Sequence, residues 1–145
     1  MSFPDFYDQA PVVRTHDPFA AMLGAASDGM LDYHYVDAVR LAGHSCPTVA
    51  GAFLIGRAAL AALYPDEPAE RGAIAVHMPA PESEGTTGVV AQVLTLLTGA
   101  ASVNGFHGIQ GQFKRRGVLS FGYHRDGEAI TFNRRDTGAS VAVTN

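Results

Sequence analysis

The sequence predicts an α+β fold in which helices pack on a small, mostly antiparallel sheet. Its 145 residues fit one domain of ordinary size. Hydrophobic residues make up 47% of the chain and charged residues 17%, a balance typical of folded globular domains. Apolar residues recur at helical spacing up to about residue 98, whereas the last third is rich in strand-like stretches. We therefore predict that residues 1–145 form a single domain.

The chain is predicted to begin with an arm and two short helical segments. Residues 1–15 contain prolines and lack periodicity, which favours an N-terminal arm that packs on the body or on a partner. Asp17 followed by Pro18 is typical of a helix start and predicts a short helix to about Ala26. Apolar positions within residues 31–41 recur near helical spacing and predict the next helix.

A longer helix is predicted to start at Pro47 and to end before Pro65, which cannot continue the hydrogen-bonded ladder. Its residues are apolar nearly all round, so we expect it at the centre of the core. Gly56 in its middle would let another backbone approach closely. The stretch is interrupted by Arg57 and is shorter than the roughly 20 residues that span a bilayer, so we predict no membrane span.

The second half of the chain is predicted to contain four strands and one helix. Asp126-Gly127 is a strong hairpin signal and predicts that its two flanking strands pair. In chain order the predicted elements are a buried strand at 73–76 that ends at His77, a proline-rich loop at 78–85, a helix at 88–98 capped by Gly99, strands at 118–123 and 129–132, and a strand at 141–143.

Charge and motifs limit the classes of partner. A formal net charge of −4 and a pI near 5.8 give no general attraction to nucleic acid or to anionic membranes, so neither is predicted as a partner. The N-terminus has no secretory signal, which predicts a cytoplasmic protein. No phosphate-binding loop, dinucleotide fingerprint or nucleophile elbow occurs. Small-molecule ligands and protein partners remain, and the abundance of apolar helix favours a homodimer.

The segment His44-Ser-Cys46-Pro47 is the strongest chemical signal in the sequence. Imidazole nitrogen and thiolate sulfur are both good ligands for zinc and neighbouring transition metals. If Pro47 begins a helix, its N-terminus would favour the Cys46 thiolate. Because the chain has one cysteine, no intrachain disulfide can form. From spacing alone, Cys46 fits a buried apolar residue, a reactive thiol, a metal ligand or an intermolecular link.

The segment from Tyr33 to Leu60 resembles the opening of the FmdE-like family, which takes its name from formylmethanofuran dehydrogenase. The family signature resembles His-Gly-His-x-Cys-Pro followed by a glycine-containing helix, and the positions that match it here are Gly43, His44, Cys46, Pro47 and Gly56. Ala42 stands where the signature has its first histidine. Weaker similarity covers most of residues 30–133. The resemblance implies an α+β fold, often paired in dimers, and a metal-ligand role for His44 and Cys46.

A second family motif, roughly Glu-x-x-x-Cys-x-x-Asp, falls near residues 77–84. Here His77, Pro81 and Glu84 stand at its three defined positions. Zinc usually takes four ligands, or three plus water, so His44 and Cys46 would need at least one further protein ligand. We prefer His77 as the third ligand, because it stands at a predicted strand end beside the proline-rich loop.

The sequence therefore predicts a metal site formed by His44, Cys46 and His77, with zinc, or another transition metal such as iron or nickel, as the cofactor. If the ion is catalytic, Glu82 or Glu84 is the nearest candidate for proton transfer. Two alternatives come from other classes. One is a module that binds a haem, a pterin or another organic ligand through the same residues. The other is a structural homodimer joined by the apolar helix, with Cys46 simply buried.

Three further features have both a functional and a structural interpretation. His34 and Asp37 are three residues apart, so the carboxylate could orient the imidazole, or both could be exposed. His107 lies between glycines that would let the backbone approach a ligand, or that simply form a turn. The basic run 114–116 could contact a phosphate or a carboxylate, but it is more typical of a solvated surface.

Overall fold

The computed structural model describes residues 2–144, which form a single α+β domain and confirm the predicted fold class. A 3-10 helix covers Asp5–Gln9, and the α-helices are α1 (Pro18–Met22), α2 (Tyr35–Ala42), α3 (Pro47–Leu63) and α4 (Thr87–Thr98). The strands are β1 (Val13–His16), β2 (Met30–Tyr33), β3 (Ala69–Glu70), β4 (Ile74–Met78), β5 (Leu119–Phe121), β6 (Ile130–Arg134) and β7 (Ser140–Val143).

The strands form two small sheets. In the first, β1 lies between antiparallel β2 and parallel β3. In the second, β4 lies between parallel β5 and antiparallel β6, and β6 also pairs with antiparallel β7. Most of the pairings are therefore antiparallel, but they are divided between two sheets.

The core lies where α3 and α4 pack together against the second sheet. Its largest fully buried side chains include Phe53 from α3, Leu94 from α4 and Phe132 from β6. A Cβ atom on Gly56 would lie 2.6 Å from Cδ1 of Leu97, so a larger residue there would have to displace this side chain. The close neighbours at Gly56 are side chains of α4, and the approach of another backbone stays a prediction.

Most helices begin and end close to the predicted positions. α3 has the predicted bounds, and α4 ends at Gly99, whose φ of 77° is the left-handed conformation of a C-cap. The Asp17 carboxylate accepts hydrogen bonds from the N–H groups of Phe19 and Ala20 at the start of α1. That helix ends at Met22 and is shorter than predicted.

The first part of the predicted 31–41 helix is wrong, because Met30–Tyr33 is strand β2. Its partner is β1, which lies partly within the segment predicted as an arm and pairs Val13 with Tyr33. A short apolar stretch fits helical and strand spacing alike, and pairing with a segment far away in the sequence decides between them.

The predicted hairpin around Asp126-Gly127 is also wrong, because β4 lies between β5 and β6. Val76 of β4 pairs with Leu119 on one side and with Phe132 on the other. A buried strand needs hydrogen-bonding partners on both edges, and this insertion supplies them. Gly127 still turns the chain, with φ of 83°. Within residues 2–144, no helix is long and apolar enough to cross a membrane.

Candidate functional site

The turn between α2 and α3 holds the signature residues in a defined conformation. Gly43 ends α2 with φ of 81°, and its N–H donates to the Val39 carbonyl. The buried Tyr35 hydroxyl shares a 2.6 Å hydrogen bond with the Ser45 hydroxyl. The turn is thereby tied to the first residue of α2 as well as to its end.

Cys46 is the N-cap residue of α3, with extended backbone angles. Its sulfur makes no close capping hydrogen bond, so the free N–H groups of the first turn act on it mainly as dipoles. The Val49 N–H has the largest effect and lowers the pKa of Cys46, with Thr48 N–H and the His44 side chain adding to it against partial desolvation. The thiolate is the form that binds metals and attacks electrophiles.

His44 is exposed and oriented by the backbone. Its Nδ1 lies 3.1 Å from the Ala42 carbonyl oxygen, which can only accept, so Nδ1 carries the proton of this hydrogen bond. This contact, followed by that with Cys46, raises the pKa of His44. In the neutral ring, Nε2 then has the free lone pair. Metal-ligating histidines show the same arrangement, with one nitrogen donating to a carbonyl and the other facing the metal.

The structure thus brings two of the three predicted ligands together. Cys46 and His44 are near enough for each to shift the pKa of the other toward a thiolate–imidazolium pair. Within residues 2–144, no group of three or more His, Cys, Asp or Glu side chains is placed to hold a metal ion. The arrangement supplies two ligands, or a nucleophilic thiol with a neighbouring acid–base group.

The third predicted ligand, His77, is not brought into this group. It lies within β4 rather than just after it, on the exposed face of the strand. Its Nδ1 is 2.7 Å from the hydroxyl of Ser120, the residue opposite it on β5. This sheet contact orients the imidazole on the surface and leaves Nε2 free of a hydrogen-bond partner among the described residues.

A cleft of about 230 Å³ lies beside the first turn of α3, between the start of α4 and the end of β4. Thr48, two residues after Cys46, lines it together with Thr87 of α4. Arg125 also lines the cleft and makes ion pairs with Glu84 at 3.0 Å and with Glu128 at 3.5 Å. Neither Thr48 nor Arg125 was predicted from the sequence, since the two residues are far apart in the chain and come together only in the fold.

The other candidate residues lie elsewhere. Asp37 accepts a hydrogen bond from the backbone N–H of His34 at the start of α2, which is the opposite end of the helix from His44. Eight residues of helix separate those ends by roughly 12 Å. Glu82 is exposed in its loop, and the exposed His107 follows Phe106 in the long segment after α4.

Comparison of the chain with protein-family models, curated proteins and solved structures gave no match. The functional interpretation therefore rests on the geometry of the α2–α3 turn.

Proposed function

We propose that the protein binds a metal ion, zinc in the first instance, through the Cys46 thiolate and Nε2 of His44. The observation that supports this most directly is the hydrogen bond from Nδ1 of His44 to the Ala42 carbonyl, because it leaves Nε2 free to coordinate. Cys46 follows two residues later at the start of α3, where the thiolate is favoured. Both side chains are accessible to an ion from solvent.

Two protein ligands leave a tetrahedral ion with two open positions. Water can fill both, or the same turn of a second copy can supply another His44 and Cys46. A two-fold axis through the ion would give a Cys₂His₂ set, one of the standard structural zinc sites. With water in both positions instead, a bound ion would supply Lewis acidity to a small ligand that displaces the water.

Exposed apolar side chains near the turn favour the second copy. Leu41 at the end of α2 is 46% exposed, and Leu54 on α3 is 50% exposed. Phe6 of the N-terminal 3-10 helix is 65% exposed and lines an apolar groove together with Leu54. Burial of such side chains is a principal driving force of homodimer formation. We therefore place the dimer interface on α3 and the adjoining turn.

Elemental analysis of protein purified without a metal-binding tag tests the proposal. We expect zinc in wild-type protein and its loss in both His44→Ala and Cys46→Ser. His107→Ala is the matched control, since this exposed histidine lies outside the turn and should leave the metal content unchanged. One ion per two chains, with a dimer in sedimentation, would identify the shared site. One ion per chain in a monomer would identify the water-completed site.

A second readout uses the single thiol of the chain. Because Cys46 is the only cysteine, alkylation by iodoacetamide reports on it alone. Stoichiometric zinc should protect it in wild-type protein and protect it much less in His44→Ala. Wild-type protein that neither retains added zinc nor gains protection would refute the metal proposal. A Soret absorption band that disappears in His44→Ala would instead favour the haem-binding alternative.

A further inference from the structure

A second group of polar side chains is buried at the other end of α4, away from the α2–α3 turn. The Asp17 carboxylate accepts from Nη1 of Arg71 and, at 2.8 Å, from Nη2 of Arg115. The exposed fractions of the side chains are 4% for Asp17, 15% for Arg71 and 10% for Arg115. Among residues 2–144, no other carboxylate lies within 4.0 Å of either guanidinium, so the group carries one excess positive charge.

The two arginines are not equally stabilised by their surroundings. Nη2 of Arg71 donates to the carbonyls of Thr95 and Leu96, where the negative end of α4 offsets part of its charge. The Arg71 guanidinium also lies over the ring of Tyr33. Within the described part of the chain, the Arg115 guanidinium has only its single hydrogen bond to Asp17. The excess charge is therefore concentrated on Arg115.

Several donors in this group have no acceptor. Nε and Nη1 of Arg115, and Nε of Arg71, are buried and make no hydrogen bond among residues 2–144. A buried donor without a partner is costly, and that cost is larger when the donor is charged. A Cβ on Gly99 would collide with Nη1 of Arg115, so the guanidinium is pressed against this glycine backbone.

A cavity of about 330 Å³ adjoins this group, and Asp17, Arg71 and Arg115 line it together with Gly99. Its apolar wall is formed by Phe19 and Phe106, whose rings stack with centroids 4.9 Å apart. The volume suits a small organic molecule. Guanidinium N–H groups donate charge-assisted hydrogen bonds to carboxylates, and both Arg71 and Arg115 line this cavity.

We propose that this cavity binds a small organic carboxylate, with its carboxylate on Arg115 and its apolar or aromatic body against Phe19 and Phe106. This site is distinct from the proposed metal site. The cleft near Cys46 is lined by Thr87 at the start of α4, and this cavity is lined by Thr95 and Gly99 at its end. The proposal therefore holds or fails independently of metal binding.

Benzoate and its neutral analogue benzamide provide matched probes. In ¹H–¹⁵N spectra of the full chain, benzoate should shift the Nε–H signals of Arg71 and Arg115, whereas benzamide at the same concentration should not. Phe106→Ala keeps the charges of both arginines and should weaken the binding of benzoate more than the binding of acetate. Arg115→Gln should lower the affinity for benzoate about tenfold or more, since it removes charge-assisted hydrogen bonds. Arg116→Gln, which changes an exposed neighbour, should leave benzoate affinity unchanged.

The wild-type spectra alone are sufficient if Arg115→Gln fails to fold. Equal shifts with benzoate and benzamide would show that charge does not select the ligand and would overturn the proposal. Nε–H signals that respond to inorganic phosphate but not to benzoate would also overturn it. The same holds for signals that respond to neither anion, which would indicate that ordered water already satisfies the donors.

Discussion

Replacing Asp17 by Asn should separate the two roles of this carboxylate. Asn is as good an N-cap as Asp, so the side-chain oxygen can still accept from the N–H groups of Phe19 and Ala20. The substitution removes the charge that pairs with Arg71 and Arg115, and both guanidiniums stay buried without a counterion. Breaking one side of a buried ion pair costs about 3–5 kcal/mol.

Asp17→Ala should cost about 1 kcal/mol more than Asp17→Asn, since it also removes the cap of α1. Domains of this size are stable by about 5–15 kcal/mol, so losses of about 3–5 and 4–6 kcal/mol should make the two variants unfold at much lower urea concentrations than wild type. Urea unfolding followed by circular dichroism measures the free energy of unfolding of each variant.

Asp32→Asn is the matched control for the charge. Asp32 on β2 pairs with Arg14 on β1 at 3.0 Å, but both side chains are solvent-accessible and such pairs contribute little. The free energy of unfolding of this variant should be close to that of wild type. If the free energy of unfolding of Asp17→Asn is also within about 1 kcal/mol of the wild-type value, the Asp17 ion pairs do not stabilise the fold as their burial indicates.

Three further outcomes are expected. Burial raises the pKa of Asp17, but the Ala20 N–H and the two guanidiniums outweigh burial, so the pKa in the folded protein is lowered. The ionised carboxylate therefore stabilises the fold fully above its unfolded pKa of about 3.9, and this stabilisation is lost as pH falls through the lower folded pKa. The stability difference between wild type and Asp17→Asn should therefore shrink in acid, and a pH-independent difference would contradict this. Gly56→Val should lower the free energy of unfolding by about 1–3 kcal/mol by overpacking against Leu97, as measured in urea. Cys46, whose pKa is lowered, should react with iodoacetamide at lower pH than free cysteine does, and His44→Ala should move its rate–pH profile upward.

Local signals in the sequence predict the α2–α3 turn well. Pro47 and Pro65 bracket α3, and glycine at position 43 permits the left-handed end of α2. These effects act within a few residues, so the pattern alone is sufficient to place His44 and Cys46 side by side. The role of the Ala42 carbonyl is not predictable in the same way, since it depends on the conformation of the turn.

Pairing across long sequence separations is not predictable from local patterns. The apolar residues of β2 fit helical spacing, and its partner β1 lies in a segment without periodicity, so no local pattern indicates that the two strands pair. Likewise, β4 lies between the two strands that Asp126-Gly127 is expected to join as a hairpin. The same limit hides the buried ion pairs, because Asp17 contacts Arg71 and Arg115 across separations of 54 and 98 residues. The sequence predicts Asp17 only as a helix cap, which is the local half of its role.

The position of α4 explains how so small a domain could hold two separate binding sites. Its 12 residues span about 18 Å, so the cleft at Thr87 and the cavity at Gly99 lie at opposite ends of a packed helix. At this separation two unit charges interact by about 1 kcal/mol at an effective dielectric constant of about 20, so direct coupling between charges bound at the two ends is weak. The remaining connection is packing, such as that of Leu97 against Gly56. Because the core is closely packed, it resists small displacements, so we expect the proposed metal binding at one end and the proposed carboxylate binding at the other to be independent of each other.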